Sequence, residues 1–378
     1  MKIAIVHDFL TKLGGAEKVL QTIHKIFPDA PIYTLLYDKV GTKREFCRPD
    51  YKIITSGLQK LPGFIRRRHR HLLSKFPQAI ENFDFSDFDA VISSSNSFAH
   101  GVITRPKTLH ITYCYSPTRY LWDWSSEYLK ENKVGFGLKG MYIRHILSKQ
   151  RVWDFLASKR TDKFIAISKT VANRIKKYYK IDSEIIYPPV EIEELLDNEE
   201  TPENYYLIVS RLTQYKKIDL AILAFNKLKL PLYIVGEGSD YSRLRSMAKN
   251  NIKFLGWVSE KEKISIIKKC KAFVFPGVDD FGIAPVEAMA AGRPVIAFAD
   301  GGATETILEG KTGEFFSDSN NPDDLISVVK KMEKNYQSYK GVDCKNQAKK
   351  FSEEKFIEQF NQFVEKEYKN FTSKVNQI

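Results

Sequence analysis

Long apolar runs are missing: nowhere in the 378 residues is there a stretch near the length of a membrane-spanning helix, which needs about 20 apolar residues. Cysteine is scarce. The four present (Cys47, Cys114, Cys270, Cys344) show neither metal-ligand nor redox spacing, which leads us to expect a reducing, cytoplasmic setting. Histidine is scarce too, and His69 and His71 have no carboxylate or cysteine nearby, so no zinc site is expected. Neither the Gly-x-Gly-x-x-Gly dinucleotide pattern nor the phosphate-loop Lys-Ser/Thr pattern occurs. Asp87-Phe88-Asp89 has the D-x-D form of a metal-dependent nucleotide-sugar site, but it precedes a strand at 90–93. Such sites sit at strand carboxyl ends, so no metal is expected there. Acidic residues are in deficit, 46 against 59 basic, a formal charge of +13. That excess favours an anionic partner: nucleic acid, a membrane surface or a phosphorylated ligand.

What is present describes a globular protein: 43% hydrophobic and 28% charged residues exclude disordered, collagen-like and coiled-coil chains. The length suits two domains. Short β-branched runs at 3–7, 32–36, 90–93, 109–113, 164–167 and 184–187 alternate with amphipathic helical patterns, the signature of a parallel sheet with crossover helices. The opening run is too short for a signal peptide and reads as a buried first strand. Pro188-Pro189 and the acidic stretch 191–203 read as a connector, since paired prolines join neither a helix nor a central strand. A second series follows at 206–209, 232–235, 252–255, 272–275 and 295–298. The expected fold is therefore α/β, with two Rossmann-like doubly wound domains facing a cleft. Residues 1–188 form the first, with 352–378 returning to it as an aromatic-faced helix capped by Ser352, and 189–351 form the second.

Several local patterns could carry chemistry. After the strand at 272–275, a glycine-bearing loop leads into a helix near Ile283. Backbone amides of Phe281, Gly282, Ile283 and Ala284 at such a helix start suit a diphosphate. Asp279 and Glu287 suit sugar and ribose hydroxyls, although a surface Asp and a helix-face Glu would give the same spacing. Arg211 and Lys216 follow the strand at 206–209 and could set two cations over one crevice, or be ordinary solvated loop residues. Gly14-Gly15 and Gly236-Glu237-Gly238 are loops that let backbone approach a ligand. The run Arg66-Arg67-Arg68-His69-Arg70, interleaved with Phe64, Ile65, Leu72 and Leu73, could lie on an anionic membrane or be a solvated helix face. No nucleic-acid reading module is seen.

Together, Arg211…Lys216, Gly236-Glu237-Gly238, Asp279-Asp280-Phe281-Gly282…Glu287-Ala288-Met289-Ala290 and Gly301-Gly302-Ala303-Thr304-Glu305 resemble the retaining GT-B glycosyltransferases of family 4. The segments around Val6-His7-Asp8 and Tyr113-Cys114-Tyr115-Ser116-Pro117 resemble its bacterial surface-polysaccharide mannosyltransferase branch. The resemblance implies a metal-independent hexosyltransferase without a cofactor, using a nucleotide-sugar donor such as GDP-mannose and a lipid-linked or glycan acceptor. It would be cytoplasmic or peripheral on the inner membrane face, with no nucleic-acid partner. By the same resemblance Arg211 and Lys216 hold the donor diphosphate, Glu287 the ribose and Asp279 the sugar. Gly14 and Gly15 approach the phosphates, and Trp257 and Val258 face the base. The family's first glutamate is Asp279 here, and Tyr115 stands where many relatives have a catalytic histidine. Those departures keep a non-catalytic nucleotide-sugar-binding protein open as an alternative, with a basic nucleic-acid-binding protein behind it.

Overall fold

The computed structural model describes residues 1–67, 69–135 and 137–375, apart from the side chains at 67, 69–71 and 131. The chain forms two compact units, Met1–Tyr187 with Ile357–Ile378, and Pro188–Phe356. In the first, seven strands lie parallel: β1 (Ile3–His7), β2 (Ile32–Thr34), β3 (Ile53–Thr55), β4 (Ala90–Ser95), β5 (Leu109–Cys114), β6 (Lys163–Ala166) and β7 (Ser183–Ile185), in the order β3-β2-β1-β4-β5-β6-β7. β1, β4 and β5 are buried throughout, as strands covered on both faces must be. The second unit repeats the plan with β8 (Tyr206–Val209), β9 (Leu232–Val235), β10 (Ile252–Gly256), β11 (Ala272–Phe275), β12 (Val295–Phe298) and β13 (Gly313–Phe316), in the order β10-β9-β8-β11-β12-β13. In both sheets the chain winds outward one way, then returns to the middle and winds the other way. The reversal falls between β1 and β4, and between β8 and β11.

The central strands match the sequence expectation, and the differences have physical causes. β3 and β13 were not expected. They are short edge strands, and β3 is only half-buried, so neither carries a strong apolar run. β2 ends at Thr34 because Leu35 leaves the ladder to donate to the Asp8 carbonyl, and the chain then runs beside the loop after β1. The acidic stretch is no free connector. Ile192 and Leu195 are buried, and Asn198 Nδ2 donates to the Ala291 carbonyl at 2.8 Å. The closing helix, Glu353–Val375, starts at Ser352, whose hydroxyl accepts from the Lys355 amide at 3.2 Å. Within the first unit it sets Phe360 beside Phe27 and Tyr113.

His110 lies inside β5, fully buried, with Nε2 2.8 Å from Ser93 Oγ. Burial disfavours its charged form and drops its pKa from 6.5 to about 3. The folded chain refuses a proton that the unfolded chain takes up, so this group removes stability as pH falls from 6.5 toward 3, by about 1.4 kcal/mol per pH unit. Denaturant titrations at pH 7, 6 and 5 should show the first unit weakening with acid, with a shallower slope for His110→Gln.

Candidate functional site

The reversal in the second sheet places the β8 and β11 loops side by side. The β8 loop runs through a single 3₁₀ turn, Gln214–Lys216, to Lys217 in the left-handed region (φ 51°). The β11 loop passes Gly277 directly beneath Lys216. A Cβ at position 277 would lie 2.7 Å from the Lys216 Cα, closer than real contacts allow, so glycine is what lets the loops meet. Gly302 does the same on the other side: a Cβ there would lie 2.2 Å from the Phe281 Cα, and its amide donates to the Asp279 carbonyl at 2.9 Å.

Lys216 Nζ donates to both carboxylate oxygens of Asp279, with the Tyr215 ring 5.2 Å and the Phe275 ring 5.9 Å away. Two expected site residues are thus partners of each other. An ammonium has three protons, so this leaves one for a further acceptor. Three residues past Asp279 the chain turns through Gly282 (φ 89°) into the helix Ile283–Ala290, and no side chain caps that helix. Its first-turn amides and the positive end of its dipole suit an anion. Along the same helix Glu287 is 8% exposed and accepts from Lys263 Nζ at 2.8 Å. Lys263 also pairs with Glu260 at 2.6 Å. Burial opposes the charge on Lys263, but the two glutamates outweigh it and hold its pKa above the ordinary lysine value. Lys263 was missed in the sequence. Its only signal is a position in the first turn of the helix Glu260–Lys269, opened by the capping box of Ser259 and Glu262.

The other expected residues of this unit divide. Arg211 is exposed in the β8 loop. The Gly236–Gly238 loop crosses that loop through the Leu212 amide, which donates to the Glu237 carbonyl at 2.9 Å. Trp257 is 63% exposed just past β10, with Val258 half-buried beside it. The Phe281 ring turns inward, 3% exposed and 5.6 Å from Phe351. Only its backbone is left to face a ligand.

In the first unit, Gly14 is the uncapped N-cap of the helix Gly15–Ile26, and both Gly14 and Gly15 are exposed. Tyr115 differs from expectation. Its hydroxyl donates to the Ala16 carbonyl at 3.0 Å and lies 2.9 Å from Ser94 Oγ, while Ser94 Oγ lies 2.9 Å from His7 Nδ1. A carbonyl only accepts, so the relay has one direction, from His7 through Ser94 to Tyr115 and on to Ala16. Burial pushes the phenol's pKa far up. With its only proton held by the fold, Tyr115 positions the start of the helix Gly15–Ile26 and has none to donate to a sugar. Asp8, one residue beyond β1, accepts from four consecutive backbone amides, those of Asn96, Ser97, Phe98 and Ala99, at 2.6–2.8 Å. The segment after Tyr115 is anchored by fully buried Asp154, which accepts from Thr118, Trp122 and Tyr179.

The basic run lies largely outside this description. Arg68 is outside the described residues, as are the side chains of Arg67 and Arg70. Arg66 is half-buried and lines a cavity, with its Nε closed off from solvent. Among the described residues no group of three or more His, Cys, Asp or Glu is placed to hold a metal, and no helix is long and apolar enough to cross a membrane.

Comparison with known proteins agrees with this fold. Residues 192–351 match the family model described as glycosyl transferases group 1. An uncharacterized glycosyltransferase of Methanocaldococcus jannaschii is 32% identical over 216 residues, covering 55% of this chain and 61% of that protein. The O-antigen chain mannosyltransferase RfbU of Salmonella typhimurium is 33% identical over 175 residues, covering 42% and 46%. The chain therefore spans at most about three fifths of the length of these curated relatives. Among solved structures, Anabaena HepE in complex with UDP superposes with a TM-score of 0.70 at 16% identity, covering 97% of this chain and 100% of that one. Residues 192–351 thus match a glycosyl transferases group 1 domain, and the chain's two parallel-sheet units have the GT-B fold.

Proposed function

We propose that the chain is a retaining, metal-independent hexosyltransferase that moves mannose from GDP-mannose to a lipid-linked or polysaccharide acceptor in cell-surface glycan synthesis. The observation that carries this reading is the reversal point of the second sheet, where Lys216, Asp279 and an uncapped helix start converge. Mannose is favoured by the name of the Salmonella relative, and the UDP in HepE supplies the contrasting base for a donor screen.

In this reading the donor diphosphate rests on the first-turn amides of the helix Ile283–Ala290 and accepts a hydrogen bond from the third N–H of the Lys216 ammonium, with Arg211 as second cation. Asp279 accepts from a sugar hydroxyl, and Glu287, held by Lys263, accepts from the ribose. The acceptor oxygen attacks the anomeric carbon on the face from which the phosphate leaves. The carbon–phosphate-oxygen bond breaks, its electron pair stays on the phosphate, and that oxygen takes the acceptor's proton. Fixed positive charge at the phosphate stabilises this separation because it is already oriented before the bond breaks.

The test is release of nucleoside diphosphate from labelled GDP-mannose and UDP-glucose in the presence of acceptor. Turnover with GDP-mannose is expected. Donor binding without turnover would support a non-catalytic binding protein instead. Lys216→Ala should lower kcat by at least about tenfold. Gly277→Ala should do comparable damage to kcat by pushing the Lys216 backbone aside, while circular dichroism stays that of the wild type.

A further inference from the structure

A second basic site lies wholly within the first unit, at the carboxyl ends of β1 and β2. A cavity of about 560 Å³ opens there, lined by Lys12 from the loop after β1, Lys39 from the loop after β2 and Arg66 from the short helix Gly63–Arg67. Among the described residues none of these cations has an ion pair, and the Arg66 Nε is buried with no acceptor. The one acid in the lining is Asp38, whose carboxylate accepts from the Val40 and Gly41 amides at 2.9 and 3.1 Å. The wall is held in place by Gln59, which accepts from the Tyr37 amide at 3.0 Å and donates to the Tyr37 carbonyl at 2.9 Å. Three like charges gathered from separate segments repel one another, and a buried donor left unmet is destabilising. An oxyanion relieves both. The location is also right for a ligand, outside the carboxyl ends of parallel strands.

We propose that this cavity binds an anionic group, a phosphate or carboxylate, carried by the acceptor. The acceptor role rests on the glycosyltransferase reading above; the anion site itself does not. Lys12 and Lys39 meet the anion from the rim, and Arg66 donates to it from the inner wall.

The test measures calorimetric binding of octyl phosphate, octyl glucuronide and neutral octyl mannoside, each below its micelle concentration. Wild type should bind an anionic probe at least about tenfold more tightly than octyl mannoside. Lys12→Ala/Lys39→Ala should lose that preference while binding octyl mannoside as wild type does. Both positions are exposed, so the fold should be kept, and Arg66→Gln provides an independent second variant. Lys216→Ala, which weakens the proposed diphosphate site of the other unit, should keep the anionic preference, which shows that the cavity and not that site supplies it. Preference for octyl phosphate identifies a phosphorylated acceptor, and preference for octyl glucuronide an acidic sugar. The proposal is overturned if the double variant keeps the anionic preference, or if wild type shows none. Because binding is read without turnover, the site can stand where sugar transfer fails. Conversely, if transfer occurs and the double variant leaves the KM for a phosphorylated acceptor unchanged, the cavity has no acceptor role.

Discussion

An open parallel sheet built from right-handed crossovers and covered by helices on both faces must reverse its winding, and at that point two loops leave the strand ends in opposite directions. The chemistry proposed here depends on that constraint. In the second sheet it brings Lys216 and Asp279, 63 residues apart, into one ion pair. In the first it brings the end of β1 against the end of β4, where Asp8 and His7 meet Ser94 and the amides of residues 96–99. The same strand order gives each unit a place where backbone donors converge.

Charge at these places is balanced locally. Lys216 is largely buried but has a carboxylate to itself. Glu287 is buried and has Lys263. Removing one partner from such a pair leaves a desolvated charge, which is worse than never having buried the pair. The first pair therefore ties the loops after β8 and β11 together, and the second ties two helices. The Lys12, Lys39 and Arg66 cavity is different: its cations are unpaired among the described residues, and the single carboxylate in its lining is tied to backbone amides.

Much of the fold was legible because its central strands are continuous apolar runs and its helices keep a 3.6-residue period, as in Gly15–Ile26, where Val19, Leu20 and Ile23 are buried. The short edge strands β3 and β13 were not, since pairing on one side asks little of their side chains. The helix beginning at Ile283 and the carboxylate at Glu287 could be read from the glycine loop ahead of them. Lys263, 24 residues earlier on a neighbouring helix, could not, because a helical lysine carries no local mark of what it faces. Tyr115 shows the opposite limit. The resemblance sets it where many relatives carry a histidine, but position does not reveal where a hydroxyl proton goes. The Ala16 carbonyl decides that.

Two carboxylates, Asp8 and Asp154, are each nearly sealed from water, and each collects several donors from other segments. Desolvating a carboxylate is repaid only when its donors arrive together with good geometry. Four amides in a row on Asp8 mean that the loop after β4 cannot shift without orphaning several donors at once. A loop held by apolar contacts alone could slide by small steps at small cost. One held by a shared buried charge is either in place or broken, and that stiffness lets loops on a sheet's rim serve as binding surfaces.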